Sequence, residues 1–379
     1  MFGIYIHIPF CRHKCPFCDF AVTTRNVSQS SSAYMQKLED EIHSRAKDWS
    51  HFTSVDSIFL GGGTPSQLNA SQIQKIFNAL STHFTFSPNI EITLECNPED
   101  VDDENIKAWK GIGINRFSLG AQSFNNSILK TLGRVHNTDH VYKAIKVFNK
   151  NQIENWSLDL IFGVSGQTRE TWTQTIQTAL SYDPTHISTY ELTIEPKTQF
   201  AKQVSKGIHK KISDQDITWM FTHAKETLTK HGFESYETSN ASRKGFHCKH
   251  NLSCWNGDSY AGFGMSAHSR WVHKQEVYRV ENTKSFTNYL TWQQKDFELA
   301  KIQQSYKSYI EECVWTALRL SNGVSIKKWN HFEEILGEKF KNRSEMFFSK
   351  HLLEIKNNTI RLSPLAWLLA DAIALELLS

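Results

Sequence analysis

The 379-residue chain lacks the features that mark secreted, membrane-spanning and nucleic-acid-binding proteins. Its seven cysteines are an odd number, three clustered and four scattered, which does not suit a secreted disulfide framework. No apolar run reaches the roughly 18 residues of a membrane span, and the N-terminus lacks the basic region of a signal peptide. The 42 basic and 39 acidic residues nearly balance, so no nucleic acid is expected as a partner. We therefore expect a cytoplasmic protein whose thiols stay reduced.

Strand-like and helix-like segments alternate six times over the first 200 residues. The strands are predicted at residues 3–8, 54–60, 89–96, 114–120, 154–162 and 186–192, and the first helix at 32–49. Such alternation predicts a parallel sheet with right-handed crossovers, and six units are fewer than the eight of a complete barrel. The expected fold class is α/β, a partial TIM-like (β/α)6 barrel.

The alternation stops after residue 200, which divides the chain into three predicted parts. Residues 1–200 form the barrel with a cysteine-containing loop. Residues 201–298 form an extension, in which 233–269 is predicted to be rich in loops. Residues 299–379 form a small, mostly helical C-terminal domain, whose apolar stretch 365–378 is predicted to be a packed terminal helix.

Three cysteines, Cys11, Cys15 and Cys18, follow the first strand with the spacing C-x3-C-x2-C. A structural zinc site needs four protein ligands, and iron–sulfur clusters are usually held by four thiolates. Three thiolates on one loop would leave one iron of a [4Fe–4S] cluster open to a small ligand. The alternatives are a zinc loop completed by His7 or His13, or cysteines that only pack in the core.

This cysteine spacing resembles the cluster loop of the radical S-adenosylmethionine (SAM) superfamily. The resemblance implies that the open iron chelates the amino and carboxylate groups of SAM, and that an electron passed to the sulfonium releases a 5′-deoxyadenosyl radical. The segment Gly61-Gly-Gly-Thr-Pro-Ser66 follows the second strand and resembles the glycine motif that receives the SAM amino group. It lacks the Lys-Ser/Thr pair of a phosphate-binding loop.

Polar residues stand at or just after the ends of the later strands: Glu95, Gln122, Arg134 and Asp159. Ligands of parallel α/β sheets gather at the carboxyl ends of strands, so these side chains are expected at one mouth of the barrel. Asp159 interrupts an apolar run and needs a partner, because a lone buried charge is costly. Arg134 is a candidate for that partner or for binding a substrate carboxylate.

Further motifs resemble the oxygen-independent coproporphyrinogen dehydrogenase family over nearly the whole chain. They are Tyr5-Ile-His-Ile-Pro-Phe-Cys11, Gly61-Gly-Gly-Thr-Pro-Ser66, Gly120-Ala-Gln-Ser-Phe124, Leu158-Asp-Leu-Ile-Phe-Gly163 and Tyr190-Glu-Leu-Thr-Ile-Glu-Pro196. The resemblance implies that the [4Fe–4S] cluster is held by Cys11, Cys15 and Cys18. It implies a SAM site lined by Tyr5, Gly62, Glu95, Gln122, Arg134 and Asp159. Where the family has a second SAM, the implied contacts are Phe17, Gly63 and Thr64.

Two branches of this family differ near the cysteine loop. The dehydrogenase has an N-terminal extension and a further cysteine after the third, whereas here the loop begins at residue 5 and Asp19 follows Cys18. Both features resemble the heme-chaperone branch, which carries a His-Asn-x-x-Tyr-Trp motif. This chain has His250-Asn-Leu-Ser-Cys-Trp255, so Cys254 replaces the tyrosine. His250 and Cys254 are both candidate heme ligands, and the alternative for His250 is a structural histidine in a loop.

The resemblance implies a heme chaperone that binds a [4Fe–4S] cluster, SAM and heme and delivers heme to an acceptor protein. The alternative is a coproporphyrinogen III dehydrogenase that uses SAM-derived radicals to convert propionates into vinyls, with Arg134 orienting the porphyrin. No catalytic residue is assigned. The expected partners also include a second copy of the chain and a membrane surface reached through another protein.

Overall fold

The alternating pattern of the first 200 residues folds into six strands that pair in chain order and run parallel. The computed structural model describes residues 1–25, 27–364 and 366–379. Because the first and the sixth of these strands do not pair with each other, the barrel stays open, and the predicted partial (β/α)6 barrel is confirmed. The strands are β1 (Gly3–Ile8), β2 (Val55–Gly62), β3 (Phe86–Cys96), β4 (Arg116–Gln122), β5 (Trp156–Phe162) and β6 (His186–Glu191).

Helices cover the outer face of these strands. In the first helix Tyr34, Leu38 and Ile42 recur every four residues and are fully buried. This helix begins at Val27, earlier than the predicted residue 32. Serines are tolerated near the start of a helix, and the packed face stabilises the remaining turns. The helices are α1 (Val27–Arg45), α2 (Ala70–Ser81), α3 (Asp103–Ile112), α4 (Asn126–Thr131), α5 (Thr138–Lys150) and α6 (Arg169–Ser181).

The extension continues the barrel sheet at both ends. Strand β9 (Tyr260–Phe263) pairs parallel with β1, strand β8 (Asn240–Ser242) pairs antiparallel with β6, and the sheet reaches 12 strands. The segment 233–269 keeps loops over about half of its length, as predicted, but it also contains short strands and a helix, which are stabilised by pairing and packing rather than by a local pattern. The elements are α7 (Gln199–Ser205), α8 (Asp214–Lys230), β7 (Glu234–Ser235), β8 (Asn240–Ser242), α9 (Lys249–Asn256), β9 (Tyr260–Phe263), β10 (His268–His273), β11 (Glu276–Glu281), α10 (Phe286–Thr291), α11 (Gln294–Leu299) and β12 (Lys301–Gln304).

The C-terminal unit has its own hydrophobic core and a sheet of three strands. Strand β12 lies within the range 299–379 predicted for the C-terminal domain, but it pairs with β11 of the large sheet. Leu365, where the predicted terminal helix begins, lies outside the described residues. The unit contains α12 (Tyr306–Ala317), β13 (Val324–Ser325), α13 (Ile326–Leu336), α14 (Glu338–Ser349), β14 (Leu353–Lys356), β15 (Thr359–Leu362) and α15 (Ala370–Leu378). Within the described residues, no helix is long and apolar enough to cross a membrane.

Candidate functional site

The cysteine loop leaves the carboxyl end of β1 and is closed by backbone hydrogen bonds. The N–H of Thr23 donates to Pro9 O (2.8 Å), and the N–H of Cys11 donates to Thr23 O (3.0 Å). Within the loop, the N–H of Cys18 donates to Cys15 O (3.0 Å). All three cysteines are free and partly exposed. The loop therefore presents three thiols at the carboxyl edge of the sheet.

Two of these thiols accept hydrogen bonds from side chains outside the cysteine loop. Thr64 Oγ1 donates to Cys11 Sγ (3.5 Å), and Arg134 Nη1 donates to Cys15 Sγ (3.4 Å). Burial raises the pKa of Cys11 to about 11 and also raises the pKa of Cys18. Thiolate ligation must therefore release protons from this loop. The Arg134 guanidinium is placed to compensate part of the negative charge that thiolates would carry.

The zinc alternative is not supported by the positions of the histidines. His7 Nδ1 is hydrogen-bonded with Tyr5 OH (3.1 Å), and His7 Nε2 with Ala21 O (2.9 Å), so both ring nitrogens are occupied. His13 is exposed. Among the described residues, no group of three or more His, Cys, Asp or Glu side chains could hold one metal ion. A cluster differs from a single ion because each thiolate binds a different iron atom.

The glycine segment after β2 packs directly against the start of the cysteine loop. The N–H of Gly63 donates to Ile8 O (2.8 Å), and the N–H of Thr64 donates to Phe10 O (2.8 Å). A Cβ atom at Gly63 would lie 2.7 Å from Phe10 O, so a side chain cannot be accommodated without a shift. These contacts fix the cysteine loop beside the end of β2.

Glu95 lies at the end of β3 and touches the same glycine segment. Its Oε2 accepts the N–H of Gly62 (3.1 Å), where the backbone has a φ of 107°. Burial, followed by the negative charge of Asp159, raises the pKa of Glu95 to about 7. The carboxyl group thus changes charge near neutral pH and can accept hydroxyl donors when ionised.

Asp159 and Arg134 do not pair with each other, contrary to one of the predicted alternatives. Asp159 accepts hydrogen bonds from Ser118 Oγ (2.7 Å), Ser157 Oγ (2.9 Å) and Ser188 Oγ (2.7 Å). These serines belong to β4, β5 and β6, so three hydroxyl groups satisfy the carboxylate instead of a cation.

Arg134 instead lies between β3 and the cysteine loop. Its Nη2 donates to Asn97 Oδ1 (2.6 Å), and its Nε is buried without a partner among the described residues. Gln122 ends β4 with a φ of 64°, at an irregularity in the pairing with β5. A non-glycine residue is rarely left-handed, and such strain is concentrated at functional sites. Phe17 packs against a small apolar cluster that includes Leu132 and Phe200.

The predicted heme motif lies on α9, so His250 is on a helix and not in a loop. His250 is buried, with Nδ1 hydrogen-bonded to Ser57 Oγ (3.1 Å) and its ring stacked on Phe59 at 5.2 Å between centroids. Burial lowers the pKa of His250 to about 4, so the imidazole is neutral at physiological pH. Its side chain therefore faces the barrel interior near the amino ends of β1 and β2.

Two charged residues of this interior were not predicted. Glu91 of β3 accepts the N–H groups of Lys249 (3.0 Å) and His250 (3.2 Å) and thus caps the start of α9. Arg116 of β4 is buried. Burial alone would lower the pKa of its guanidinium group, but the nearby Cys248 and Glu91 raise that pKa. Both residues face inward on strands where inward positions recur every second residue, and that pattern could have identified them.

The other end of α9 lines a cleft between the large sheet and the C-terminal unit. Cys254 and Trp255 form part of its wall, and strands β9 to β12 and helices α12 and α15 provide the rest. Burial raises the pKa of Cys254 to about 11. The structure thus separates the two predicted heme contacts, with His250 in the barrel and Cys254 in the cleft.

Comparison with known proteins assigns the chain to a family. A model of the Radical SAM superfamily matches residues 5–179. Heme chaperone HemW of Haemophilus influenzae is 37% identical over 76% of this chain and 75% of its own length. Heme chaperone HemW of Lactococcus lactis is 32% identical over 94% of this chain and 89% of its own. The chain belongs to the HemW family of radical SAM proteins. The cofactors of the superfamily, a [4Fe–4S] cluster and SAM, are therefore those of this chain.

A solved structure agrees with this fold. Coproporphyrinogen III oxidase (HemN) from Escherichia coli, described as a radical SAM enzyme, superposes with a TM-score of 0.81. The match covers 99% of this chain and 89% of that chain at 22% identity. This similarity establishes the shared fold, including the C-terminal unit.

Proposed function

We propose that this chain is a heme chaperone that carries a [4Fe–4S] cluster and SAM and delivers heme to acceptor proteins. The observation that carries the proposal is the similarity to curated heme chaperones, at 32–37% identity over 76–94% of the chain for the two relatives described above. The aspartate after Cys18 supports it, because the dehydrogenase branch is expected to have a cysteine there. At 22% identity, the similarity to coproporphyrinogen III oxidase supports the fold alone.

The donor set fits an iron–sulfur cluster. Three partly exposed thiols lie on one loop, and Arg134 donates to one of them while its buried Nε has no partner among the described residues. We assign Cys11, Cys15 and Cys18 as the ligands. When bound, the cluster would supply an electron for chemistry on SAM.

The residues around the barrel mouth fit SAM. Glu95 offers a carboxylate that can accept hydroxyl donors, and the glycine segment exposes backbone groups next to the cysteine loop. The strained backbone of Gln122 is a further sign of a binding site. The proposed SAM residues are Tyr5, Gly62, Glu95, Gln122, Arg134 and Asp159. The proposed contacts of a second SAM are Phe17, Gly63 and Thr64.

The proposed function also places the chain in the cytoplasm, where heme acceptors and reduced thiols coexist. We propose that the protein reaches a membrane surface only through a partner protein and that it forms a homodimer. Cell fractionation and light scattering of the purified chain test these two points. Exclusive recovery in the membrane fraction, or a strictly monomeric mass at all concentrations, would contradict them.

The function is tested by comparing heme transfer with porphyrin chemistry in one preparation. The cluster-reconstituted chain is loaded with hemin and mixed with apomyoglobin, and transfer is followed by the absorbance of holo-myoglobin. In parallel it is incubated anaerobically with SAM, dithionite and coproporphyrinogen III. Transfer without a decarboxylated product is the expected result. Formation of protoporphyrinogen over many turnovers would contradict the chaperone proposal and support the dehydrogenase alternative.

A further inference from the structure

A strongly basic segment lies beside the cysteine loop. Residues 197–211, here called the basic segment, contain five lysines and one histidine but no acidic residue, in a chain whose formal net charge is only +3. The five lysines are all exposed: Lys197, Lys202, Lys206, Lys210 and Lys211. Among the described residues, the lysines that pair with carboxylates are Lys150 and Lys284, so no ion pair there neutralises the basic segment.

The basic segment is held against the cysteine loop by specific contacts. The N–H of Phe200 donates to Pro16 O (2.9 Å), and its buried ring packs in the same small apolar cluster as Phe17. The ring of His209 stacks on Phe200 with 4.7 Å between the centroids, so the end of the segment folds back onto α7. The lysines are therefore carried by a scaffold that contacts the cysteine loop directly.

Exposed apolar side chains accompany these charges. Phe20 of the cysteine loop, Val135 next to Arg134 and Ile208 of the basic segment are 66%, 62% and 63% exposed. Apolar side chains that accompany charges of one sign suit an interface with a protein of the opposite charge. The three thiols of the loop are also partly exposed, so a group bound there lies close to this surface.

The chemistry of the neighbouring loop defines the kind of partner. A cluster held by Cys11, Cys15 and Cys18 must receive an electron before it can pass one to SAM. The other four cysteines are scattered, and the described residues outside the loop contain no group of three or more side chains that could hold a metal ion. The electron must therefore come from another molecule. Because electron transfer slows steeply with distance, that molecule has to dock beside the loop.

Helix α7 favours a protein partner over a membrane surface. Its large apolar residues, Phe200 and Val204, both pack into the apolar cluster beside the cysteine loop. A membrane-binding helix instead keeps a continuous apolar face free to enter the lipid. The charge that remains exposed on this segment is complementary to an acidic protein surface.

We propose that the basic segment is the docking surface for a small acidic electron-carrier protein that reduces the cluster. The carrier is oxidised by one electron and the bound cluster accepts it, with no bond broken and no proton transferred. Interfaces of this kind are small, below about 1,200 Å², and attraction between opposite charges raises the association rate by about 10–10³-fold at low salt. The inference rests on the proposed cluster ligands and is independent of heme delivery.

Stopped-flow reduction of the cluster-reconstituted, full-length chain tests this surface. The probe is reduced flavodoxin, a small acidic flavoprotein, and the reference reductant is dithionite, which needs no docking surface. The triple variant Lys202→Glu/Lys206→Glu/Lys210→Glu should lower the second-order rate constant with flavodoxin by at least about tenfold at low salt. Its rate with dithionite should stay nearly unchanged. Added salt should slow the wild-type reaction with flavodoxin and narrow the difference between the two chains.

The control replaces three exposed lysines of the C-terminal unit, Lys341, Lys350 and Lys356, by glutamate and so changes the net charge equally. It should keep most of the wild-type rate with flavodoxin. Equal losses in the two triple variants would show that only the net charge matters and would overturn the docking surface. Binding of the basic segment to phosphatidylserine vesicles, together with an unchanged flavodoxin rate in its variant, would replace the acidic protein by a membrane.

Carbodiimide cross-linking to flavodoxin provides a second readout that needs neither a variant nor electron transfer. Peptide mass spectrometry should place the cross-links on lysines of the basic segment, and cross-links confined to other lysines would overturn the proposal. Failure of dithionite itself to reduce the reconstituted wild-type chain would instead contradict the proposed cluster ligands.

Discussion

Replacing Glu91 by glutamine tests whether a buried charge on the barrel holds α9 in place. The carboxylate accepts the N–H groups of Lys249 (3.0 Å) and His250 (3.2 Å) and the thiol of Cys248 (3.4 Å). Glutamine keeps one neutral acceptor oxygen but removes the charge that compensates the helix start and the buried Arg116. The helix should therefore be held less firmly, although its own sequence is unchanged.

The size of this effect follows from the contacts. Hydrogen bonds to charged groups contribute about 1.5–3 kcal/mol, and a partly buried charge at a helix end contributes up to about 2 kcal/mol. Because glutamine retains part of the bonding, we expect Glu91→Gln to lower the free energy of unfolding by about 2–3 kcal/mol. The control is Glu104→Gln, an exposed acid in the first turn of α3, with an expected loss below about 1 kcal/mol.

Urea unfolding of the full-length chain, followed by tryptophan fluorescence, measures both variants. Glu91→Gln should also weaken hemin binding, because α9 carries the two proposed heme contacts, His250 and Cys254. Equal losses of stability in the two variants would refute the role of Glu91 as the cap of α9. So would a fully stable Glu91→Gln chain with wild-type hemin affinity.

Other substitutions separate backbone, charge and cluster effects. Gly62→Ala should destabilise the chain by about 2 kcal/mol or more, because the methyl group would lie 2.5 Å from His7 Cε1 at a φ of 107°. The control is Gly111→Ala, in open space on α3, which should be neutral or stabilising. Thermal melts measure both variants. Folding raises the pKa of Glu95 from 4.5 to about 7, so the stability that this group contributes is complete below pH 4.5 and is lost as the pH rises to 7. Glu95→Gln should remove this decline from urea midpoints compared at pH 5 and pH 8, and an unchanged decline would contradict the assignment. Cys18→Ala should lose the reconstituted iron that Cys96→Ala keeps, and equal iron contents would contradict the ligand set.

The barrel and its cysteine loop were predictable because their signals are local. Each of the six strands is a short apolar or alternating run, and a spacing such as C-x3-C-x2-C needs no tertiary information. The glycine segment and Glu95 follow strand ends, and parallel strands bring their carboxyl ends to one edge. The contact between Gly62 and Glu95 fulfils that expectation.

The helix α9 was not predictable from its own residues. Its cap is Glu91, whose contact with Lys249 spans 158 residues of chain. The partners of Asp159 were missed for a similar reason, because three serines on three strands carry no signal until the strands pair. The cleft depends in the same way on the contact between the large sheet and the C-terminal unit. Such features arise from tertiary structure and not from local propensity.

The most direct test of the account is a titration of hemin into the purified, cluster-reconstituted chain, followed by absorbance and by ultrafiltration of unbound hemin. We expect saturation at a single hemin per chain, and release of that hemin to an apo-acceptor. Absence of saturable hemin binding would contradict the central claim that this member of the HemW family is a heme chaperone.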